Sequence, residues 1–170
     1  SCGEIAYTDS QVGKILDWLA EHGLKDHTLI VLSGDHGEGL GDHGEFTHGI
    51  FLYDETVHIP LMFAGPGVPS GKVISQQVRT IDVMPTVADY LGLAPGDRIQ
   101  GVSLMPAILE GRRDRSNYSY METLYPKTSH GWSELRAMRT DDWKFIKAPR
   151  PELYKVKNDR KEQLNILPQY

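Results

Sequence analysis

The chain has 170 residues, of which 39% are hydrophobic and 24% charged, and its formal net charge is −5. This length suits one domain with a sizeable core. The acidic balance, without a run of Lys or Arg, argues against a nucleic-acid partner. No apolar run approaches the ~20 residues needed to span a bilayer, and the single Cys2 excludes an internal disulfide.

The first part of the chain predicts a helix followed by a strand. Apolar residues at helical spacing predict an amphipathic helix over Ile5–Leu19, and Gly23 is placed to end it. Leu29–Leu32 is a short apolar run, β-branched in its middle, and predicts a buried, central strand. A crossover helix normally follows a strand, so the sequence suggests the C-terminal part of a larger fold.

The middle of the chain alternates strand and helix patterns. Val57–Phe63 predicts a strand that Pro60 confines to a sheet edge or a bulge. Val73–Val78 predicts another short strand. Asp82 is placed as the N-cap of a helix that ends at Gly92, and Ser103–Glu110 predicts a further short helix.

The last part of the chain predicts an antiparallel sheet. Residues 135–140 and 143–147 alternate apolar and polar around Asp141-Asp142, which predicts a hairpin over Arg136–Lys147. Glu152–Tyr154 is placed to add a third strand.

The residues richest in potential chemistry follow the predicted strand Leu29–Leu32. Asp35 and His36 stand where a loop leaves the carboxyl end of a strand, which is where open α/β sheets collect ligands. An Asp oxygen and a neutral imidazole are both good ligands for a divalent metal. Gly34 and Gly37 flank the pair and let the backbone bend, so that two adjacent side chains can reach one ion. The same residues also suit a plain polar turn.

An ordered set of motifs around this pair resembles the sulfatases, which belong to the alkaline phosphatase superfamily. The set comprises 33–38 (SGDHGE), 40–44 (LGDHG), 48–49 (HG), 53–55 (YDE) and 59–61 (IPL). Further similar segments lie on both sides, at 7–13, 80–86, 152–154 and 162–165. The likeness therefore covers most of the chain, and it is the order of the motifs, more than any one of them, that is specific.

The resemblance assigns expected roles to several residues. Asp35 and His36 become ligands of a divalent metal, with Ca²⁺ expected first and Mn²⁺ or Zn²⁺ as alternatives. His48 stands where many members have a Lys that contacts the sulfate or the leaving-group oxygen, so it is the expected catalytic acid or hydrogen-bond donor. The alternative for His48 is a loop histidine packed beside neighbouring Phe residues.

Other charged residues of the Gly-rich loop have less specific expectations. Asp42 and His43 are candidates for orienting the metal ligands through hydrogen bonds. Glu45 is expected to lie in a solvated acidic loop.

One part of the sulfatase apparatus has no counterpart in this sequence. Sulfatases use a formylglycine made from a Cys/Ser-x-Pro-x-Arg motif, whereas the only cysteine stands in Cys2-Gly3-Glu4-Ile5-Ala6. The resemblance places the formylglycine, and further metal ligands, in an N-terminal part of the same fold. The isolated chain is therefore expected to have little or no sulfatase activity.

The resemblance also implies a fold and a set of functions. It implies an α/β fold with an alkaline-phosphatase-like mixed sheet flanked by helices, partly present in residues 1–115, and a small antiparallel subdomain in 116–170. The expected function is hydrolysis of a small sulfate ester by the complete protein. The alternatives are a phosphomonoester or phosphonate monoester hydrolase of the same superfamily, and a non-catalytic metal-binding or interaction module. No sequence feature fixes the localisation, and a periplasmic or secreted site agrees with the resemblance.

Overall fold

The computed structural model describes residues 2–112 and 118–169. It contains two compact units, one formed by Ser1–Ser33 with Leu61–Gly71 and the other by Gly34–Pro60 with Lys72–Tyr170. The predicted boundary between residues 115 and 116 lies outside the described residues and stays a prediction. None of the helices in the described part of the chain has the length and apolar character required to cross a membrane.

The first unit begins with the predicted helix. Helix α1 spans Cys2–Glu21, and Gly23 follows at φ 67°, the left-handed conformation expected at a helix end. The prediction over Ile5–Leu19 is therefore confirmed, although Ile15 and Leu16 of its apolar stripe are exposed.

A two-stranded antiparallel sheet completes the first unit. Strand β1 spans Ile30–Ser33 and pairs with β2, Leu61–Ala64, so that Ile30 faces Ala64. The strand expected at Leu29–Leu32 is confirmed with a shift of one residue. Its residues 30–32 are half-buried and, among the described residues, β1 pairs with β2 alone, so the expected burial and central place of this strand are not confirmed.

The strand expected over Val57–Phe63 begins later than predicted. A short helix, α2, spans Asp54–Val57, and β2 begins only after Pro60. Proline has no N–H to donate to a ladder, although its carbonyl accepts a hydrogen bond from Gly34 N at 3.3 Å. The expectation of a strand before Pro60 was wrong, because the chain forms α2 up to Val57 and Pro60 cannot donate a hydrogen bond to a neighbouring strand.

The helices of the second unit lie near the predicted positions. A 3₁₀ turn at Thr80–Asp82 leads into α3, Val83–Tyr90, and α4 spans Met105–Glu110. Asp82 does precede α3, but its buried carboxylate accepts hydrogen bonds from Arg79 N and Val102 N instead of capping that helix.

The short strand expected at Val73–Val78 is absent, and that prediction was wrong. These residues have no regular secondary structure. The backbone N–H of Gln77 donates to the carboxylate of Asp141 at 2.6 Å, so a side chain takes the place of a ladder partner.

A four-stranded antiparallel sheet dominates the second unit. Its strands are β3, Ser119–Thr123, β4, Leu135–Arg139, β5, Lys144–Lys147, and β6, Glu152–Tyr154, in that spatial order. Helix α5, Tyr125–His130, joins β3 to β4.

The hairpin expected over Arg136–Lys147 and the strand at Glu152–Tyr154 are confirmed, whereas β3 was not predicted. The core beneath the sheet is formed by Leu52, Tyr53, Leu135, Ala137, Ile146, Tyr154 and Val156.

Candidate functional site

The loop that carries Asp35 and His36 is fixed by backbone hydrogen bonds on both sides. Gly34 N donates to Pro60 O, and Gly37 N donates to Thr56 O at 2.8 Å. A Cβ at Gly37 would lie 2.0 Å from the carbonyl oxygen of Glu55. Glycine is therefore required at 37 by the close approach of two backbone segments.

Asp35 and His36 point their ligand atoms toward each other. His36 N donates to Asp35 Oδ1 at 2.9 Å, and Asp35 Oδ2 lies 3.7 Å from His36 Nε2. His36 Nδ1 lies 2.9 Å from the carbonyl oxygen of Gly37. Because a carbonyl can only accept, Nδ1 must carry the proton, and the lone pair of Nε2 is left to bind a ligand.

The electrostatics of Asp35 favour its ionised form. Two hydrogen bonds to the exposed Asp35 carboxylate lower its pKa. The larger effect comes from the backbone N–H of His36 and the smaller from the backbone N–H of Asp35 itself. An ionised carboxylate beside a neutral imidazole nitrogen is a suitable pair of ligands for a divalent cation.

His48 lies against the same pair. Its ring stacks on that of His36 with centroids 3.7 Å apart and an interplanar angle of 24°. His48 Nδ1 lies 3.2 Å from Glu38 Oε2, so Nδ1 donates to the carboxylate and Nε2 remains accessible. Asp35, His36 and His48 therefore gather in one exposed cluster, with Glu38 as a partner that sequence reasoning did not single out.

Asp42 and His43 make their contacts elsewhere. His43 Nε2 lies 2.9 Å from the carbonyl oxygen of Lys161, and its ring stacks on Tyr53 with centroids 3.6 Å apart. Asp42 is exposed and accepts the backbone N–H of Glu45 through its carbonyl. No hydrogen bond or ring contact found in the described part of the chain joins either residue to Asp35 or His36, so their orienting role stays a prediction.

Glu45 is buried, which contradicts the expectation of a solvated loop position. Glu45 is only 2% exposed. One carboxylate oxygen accepts Ile50 N at 2.8 Å and the other accepts Phe51 N at 3.0 Å. The expectation was wrong because these two backbone amides satisfy the carboxylate away from water.

A buried cluster of charges ties the loop to the sheet and to the C-terminal segment. Lys144 Nζ lies 2.9 Å from both Asp54 Oδ1 and Glu162 Oε1, and Arg139 also contacts Asp54. Asp54 N donates to Glu162 Oε2 at 2.6 Å. Burial raises the pKa of Glu162, whereas Lys144 and Arg139 overcome the effect of burial on Asp54 and lower its pKa. Sequence reasoning missed this cluster because its members come from four separate segments.

Asp35 and His36 supply only some of the ligands that a divalent ion needs. The 3.7 Å between Asp35 Oδ2 and His36 Nε2 is compatible with one shared ion of calcium size, because Ca²⁺ lies about 2.3–2.6 Å from its ligands. No group of three or more His, Cys, Asp or Glu side chains that could hold a metal occurs in residues 2–112 and 118–169. A tight site would need additional ligands.

The chain is similar to known proteins in both sequence and fold. A family model described as Sulfatase matches residues 1–93. Human Arylsulfatase K is 29% identical over 173 residues, an alignment that covers 95% of this chain and 32% of that protein.

Solved structures show the same likeness. A protein in complex with its substrate, D-glucosamine-2-N,6-O-disulfate, matches with a TM-score of 0.79 and 28% identity, covering 95% of this chain and 34% of that one. The phosphonate monoester hydrolase of Agrobacterium radiobacter matches with a TM-score of 0.82 and 26% identity, covering 96% of this chain and 36% of that one. The chain thus spans about a third of the length of its relatives, and the α/β fold expected from the sequence is confirmed.

Proposed function

Because the chain belongs to the sulfatase family, we propose that it is the C-terminal portion of a metal-dependent hydrolase that cleaves sulfate esters. The observation that carries this proposal is the convergence of Asp35, His36 and His48 in one exposed cluster. From their place in the motifs, we assign Asp35 and His36 to metal binding and His48 to contact with the ester.

Asp35 and His36 are the proposed metal ligands, through a carboxylate oxygen and Nε2. Calcium is the first expectation, with Mn²⁺ or Zn²⁺ as alternatives because an imidazole is a softer ligand than an amide oxygen. A bound divalent ion would supply positive charge to an ester oxygen. The remaining ligands and the formylglycine are expected from the part of the protein that precedes these motifs.

His48 is the proposed catalytic acid or hydrogen-bond donor. Glu38 Oε2 accepts a hydrogen bond from His48 Nδ1–H, with the nitrogen and the oxygen 3.2 Å apart. This bond fixes the orientation of the ring and directs Nε2 outward. In its imidazolium form His48 also carries a proton on Nε2, which passes to the leaving-group oxygen as the ester bond breaks and leaves the neutral ring with its Nδ1–H on Glu38. Stacking on His36 keeps this nitrogen beside the proposed metal ligands.

The proposed substrate is a small sulfate ester, and a sulfated sugar is the preferred class. This preference rests on the related protein that was solved with D-glucosamine-2-N,6-O-disulfate as its substrate. The residues that choose among sulfated sugars belong to variable loops, so the proposal extends to the class alone.

The test is an assay of the longest natural protein that contains this chain. We expect turnover of 4-nitrophenyl sulfate, a fall of at least a hundredfold in kcat/KM for His36→Ala and for Asp35→Ala, and no change for Asp26→Ala, an exposed residue outside the cluster. The chain of 170 residues alone should show little or no turnover. Equal rates for Asp35→Ala and the unmodified protein would refute the assignment of the metal ligand.

A phosphonate monoester hydrolase is the second candidate function, favoured by the TM-score of 0.82 with such an enzyme. The same assay with 4-nitrophenyl phenylphosphonate and 4-nitrophenyl phosphate separates it from a sulfatase, because the preferred ester gives the larger kcat/KM. Metal binding without turnover of any of these esters would instead identify the non-catalytic module.

A further inference from the structure

His48 lies at the centre of a small loop, residues 45–51, whose two ends meet. Glu45 begins the loop, and its carboxylate accepts the consecutive backbone N–H groups of Ile50 and Phe51 at 2.8 and 3.0 Å. The side chain thus closes the loop on itself, with His48 opposite the closure.

The burial of Glu45 makes this closure difficult to replace. The residue is 2% exposed, so water has little access to substitute for either hydrogen bond. Its two oxygens face two donors, and only a carboxylate presents two acceptors in this arrangement. A buried N–H without a partner is unfavourable, so losing either bond should shift the loop.

Two further hydrogen bonds fix the residues on each side of His48. Gly39 N donates to Thr47 O at 2.7 Å, and the hydroxyl of Thr123 on β3 donates to Gly49 O at 2.5 Å. A Cβ at Gly39 would lie 2.3 Å from the carbonyl oxygen of Glu45, so the loop rests directly on the preceding backbone.

Apolar packing contributes little to holding the outer part of this loop. Phe46 is 79% exposed, and Thr47 and His48 are exposed as well. The position of the His48 ring over His36 therefore depends on its own hydrogen bond to Glu38 and on the hydrogen bonds that hold the loop, two of which end on the buried carboxylate of Glu45.

We propose that Glu45 is a positioning residue that holds His48 in stacking contact with His36. The proposal rests on the proposed function for its catalytic meaning, because His48 is the group that would meet the ester. Its geometric content does not depend on turnover and can be tested in the chain itself.

The matched comparison uses Glu45→Gln and Glu162→Gln. Both replace a buried carboxylate by an amide of nearly equal shape, and both carboxylates accept a backbone N–H. In Glu45→Gln the new NH₂ group faces one of the two backbone donors. Glu162 has no hydrogen bond to residues 45–51 among the contacts of the described chain, so its variant controls for a general loss of stability.

The readout is NMR of the 170-residue chain, with the nuclear Overhauser effect between the His36 and His48 ring protons and the amide shifts of Ile50 and Phe51. We expect Glu45→Gln to weaken the ring-to-ring effect at least fivefold and to move one or both amide shifts upfield. Glu162→Gln should keep both signals while lowering the melting temperature.

A second variant keeps the test decisive if Glu45→Gln does not fold. Thr123→Val preserves the branched shape on β3 but removes the hydroxyl that binds Gly49 O, and it should weaken the ring-to-ring effect about twofold. An unchanged effect in a folded Glu45→Gln overturns the proposal. If that variant does not fold, an unchanged effect in Thr123→Val overturns it, because the hydrogen bonds that hold the loop would then not position His48. Neither result bears on whether the complete protein hydrolyses sulfate esters, which is measured by turnover alone.

Discussion

The imidazole rings of His36 and His48 stack with their centroids 3.7 Å apart. Each ring uses Nδ1 for a hydrogen bond to an oxygen, on Gly37 and Glu38 respectively. With Nδ1 of each ring engaged in this way, Nε2 of His36 can offer a lone pair to a metal ion, and Nε2 of His48 is the nitrogen that can face an ester.

The first prediction concerns metal affinity. Two protein ligands make a weak site, so calorimetric titration of the chain with Ca²⁺, Mn²⁺ and Zn²⁺ should give dissociation constants of about 1 mM or higher, the weak end of protein calcium sites. Asp35→Ala should abolish the remaining heat, whereas Asp26→Ala should leave the titration unchanged. Superimposable curves for Asp35→Ala and the original chain would show that Asp35 does not bind the ion.

The second prediction concerns His48 in the longest natural protein that contains the chain. His48→Ala removes the proposed donor to the leaving group, and kcat for 4-nitrophenyl sulfate should fall by about 10²–10⁴, the usual contribution of general acid catalysis. His48→Lys should retain more activity than His48→Ala, because a Lys stands at this position in many sulfatases. Equal kcat for the Ala variant and the original protein would return His48 to the role of a packed loop residue.

The third prediction concerns the buried charges. Lys144→Met leaves Asp54 and Glu162 without their shared cation, and removal of one partner from a buried ion pair typically costs about 3–5 kcal/mol. Urea unfolding should show a loss of this size. Lys157→Met is the control, because Lys157 pairs with Asp142 on the surface at 3.3 Å and exposed pairs contribute about 1 kcal/mol or less. Similar losses for both variants would contradict the burial argument.

The fourth prediction concerns Gly37. An added methyl group would lie 2.0 Å from the carbonyl oxygen of Glu55, so Gly37→Ala should lower the free energy of unfolding by about 3 kcal/mol or more, at or beyond the upper end for overpacked sites. Gly13→Ala offers the opposite case, because nothing lies within 4 Å of a Cβ there and the residue is inside α1. It should stabilise the chain by about 1 kcal/mol through helix propensity. A stable, unshifted Gly37→Ala variant would show that the loop can relax.

The fifth prediction concerns alkaline pH. The hydroxyls of Tyr53 and Tyr154 both donate to Glu152 Oε2 at 2.8 Å, and burial, followed by this carboxylate, raises the pKa of each above the usual 10.0. A raised pKa in the folded state means that the contribution to stability is complete below pH 10 and is lost as the pH rises above that value.

Denaturant unfolding between pH 8 and pH 11.5 checks this expectation. The free energy of unfolding should be level up to about pH 10 and fall beyond it, and Tyr154→Phe should reduce the slope. Tyr7→Phe, which changes an exposed tyrosine of α1, should keep the slope of the original chain. A level profile through pH 11.5 would contradict the prediction.

The sequence pattern predicted those helices and strands that are determined by residues close together in the chain. The helix before Gly23 and the hairpin around Asp141-Asp142 are of this kind. Val73–Val78 has the composition of a strand, but its Gln77 N–H is bound by Asp141, which lies 64 positions away. A prediction made from neighbouring residues cannot identify a partner so far along the chain.

The same limit applies to the candidate site. The spacing of Asp35 and His36 was visible in the sequence, as was His48, but the stacking of the two rings required the loop to fold back. Glu45 and Lys144 were the hardest to predict, because a charged side chain normally indicates a solvent-exposed position. Their burial depends on partners in other segments, on two backbone amides for Glu45 and on two carboxylates for Lys144.

The hydrogen bond from Asp54 N to Glu162 Oε2 joins residues 108 positions apart. During synthesis on the ribosome, at about 5–20 residues per second, the N-terminal partner therefore waits about 5–20 s for the other to be made. Until then Lys144, once made, and the start of α2 lack a carboxylate that the finished molecule buries. A nascent chain in this interval, or one cut short before Glu162, leaves Lys144 with Asp54 but without its second carboxylate, and leaves Asp54 N without its acceptor, so it would be a natural target for chaperones.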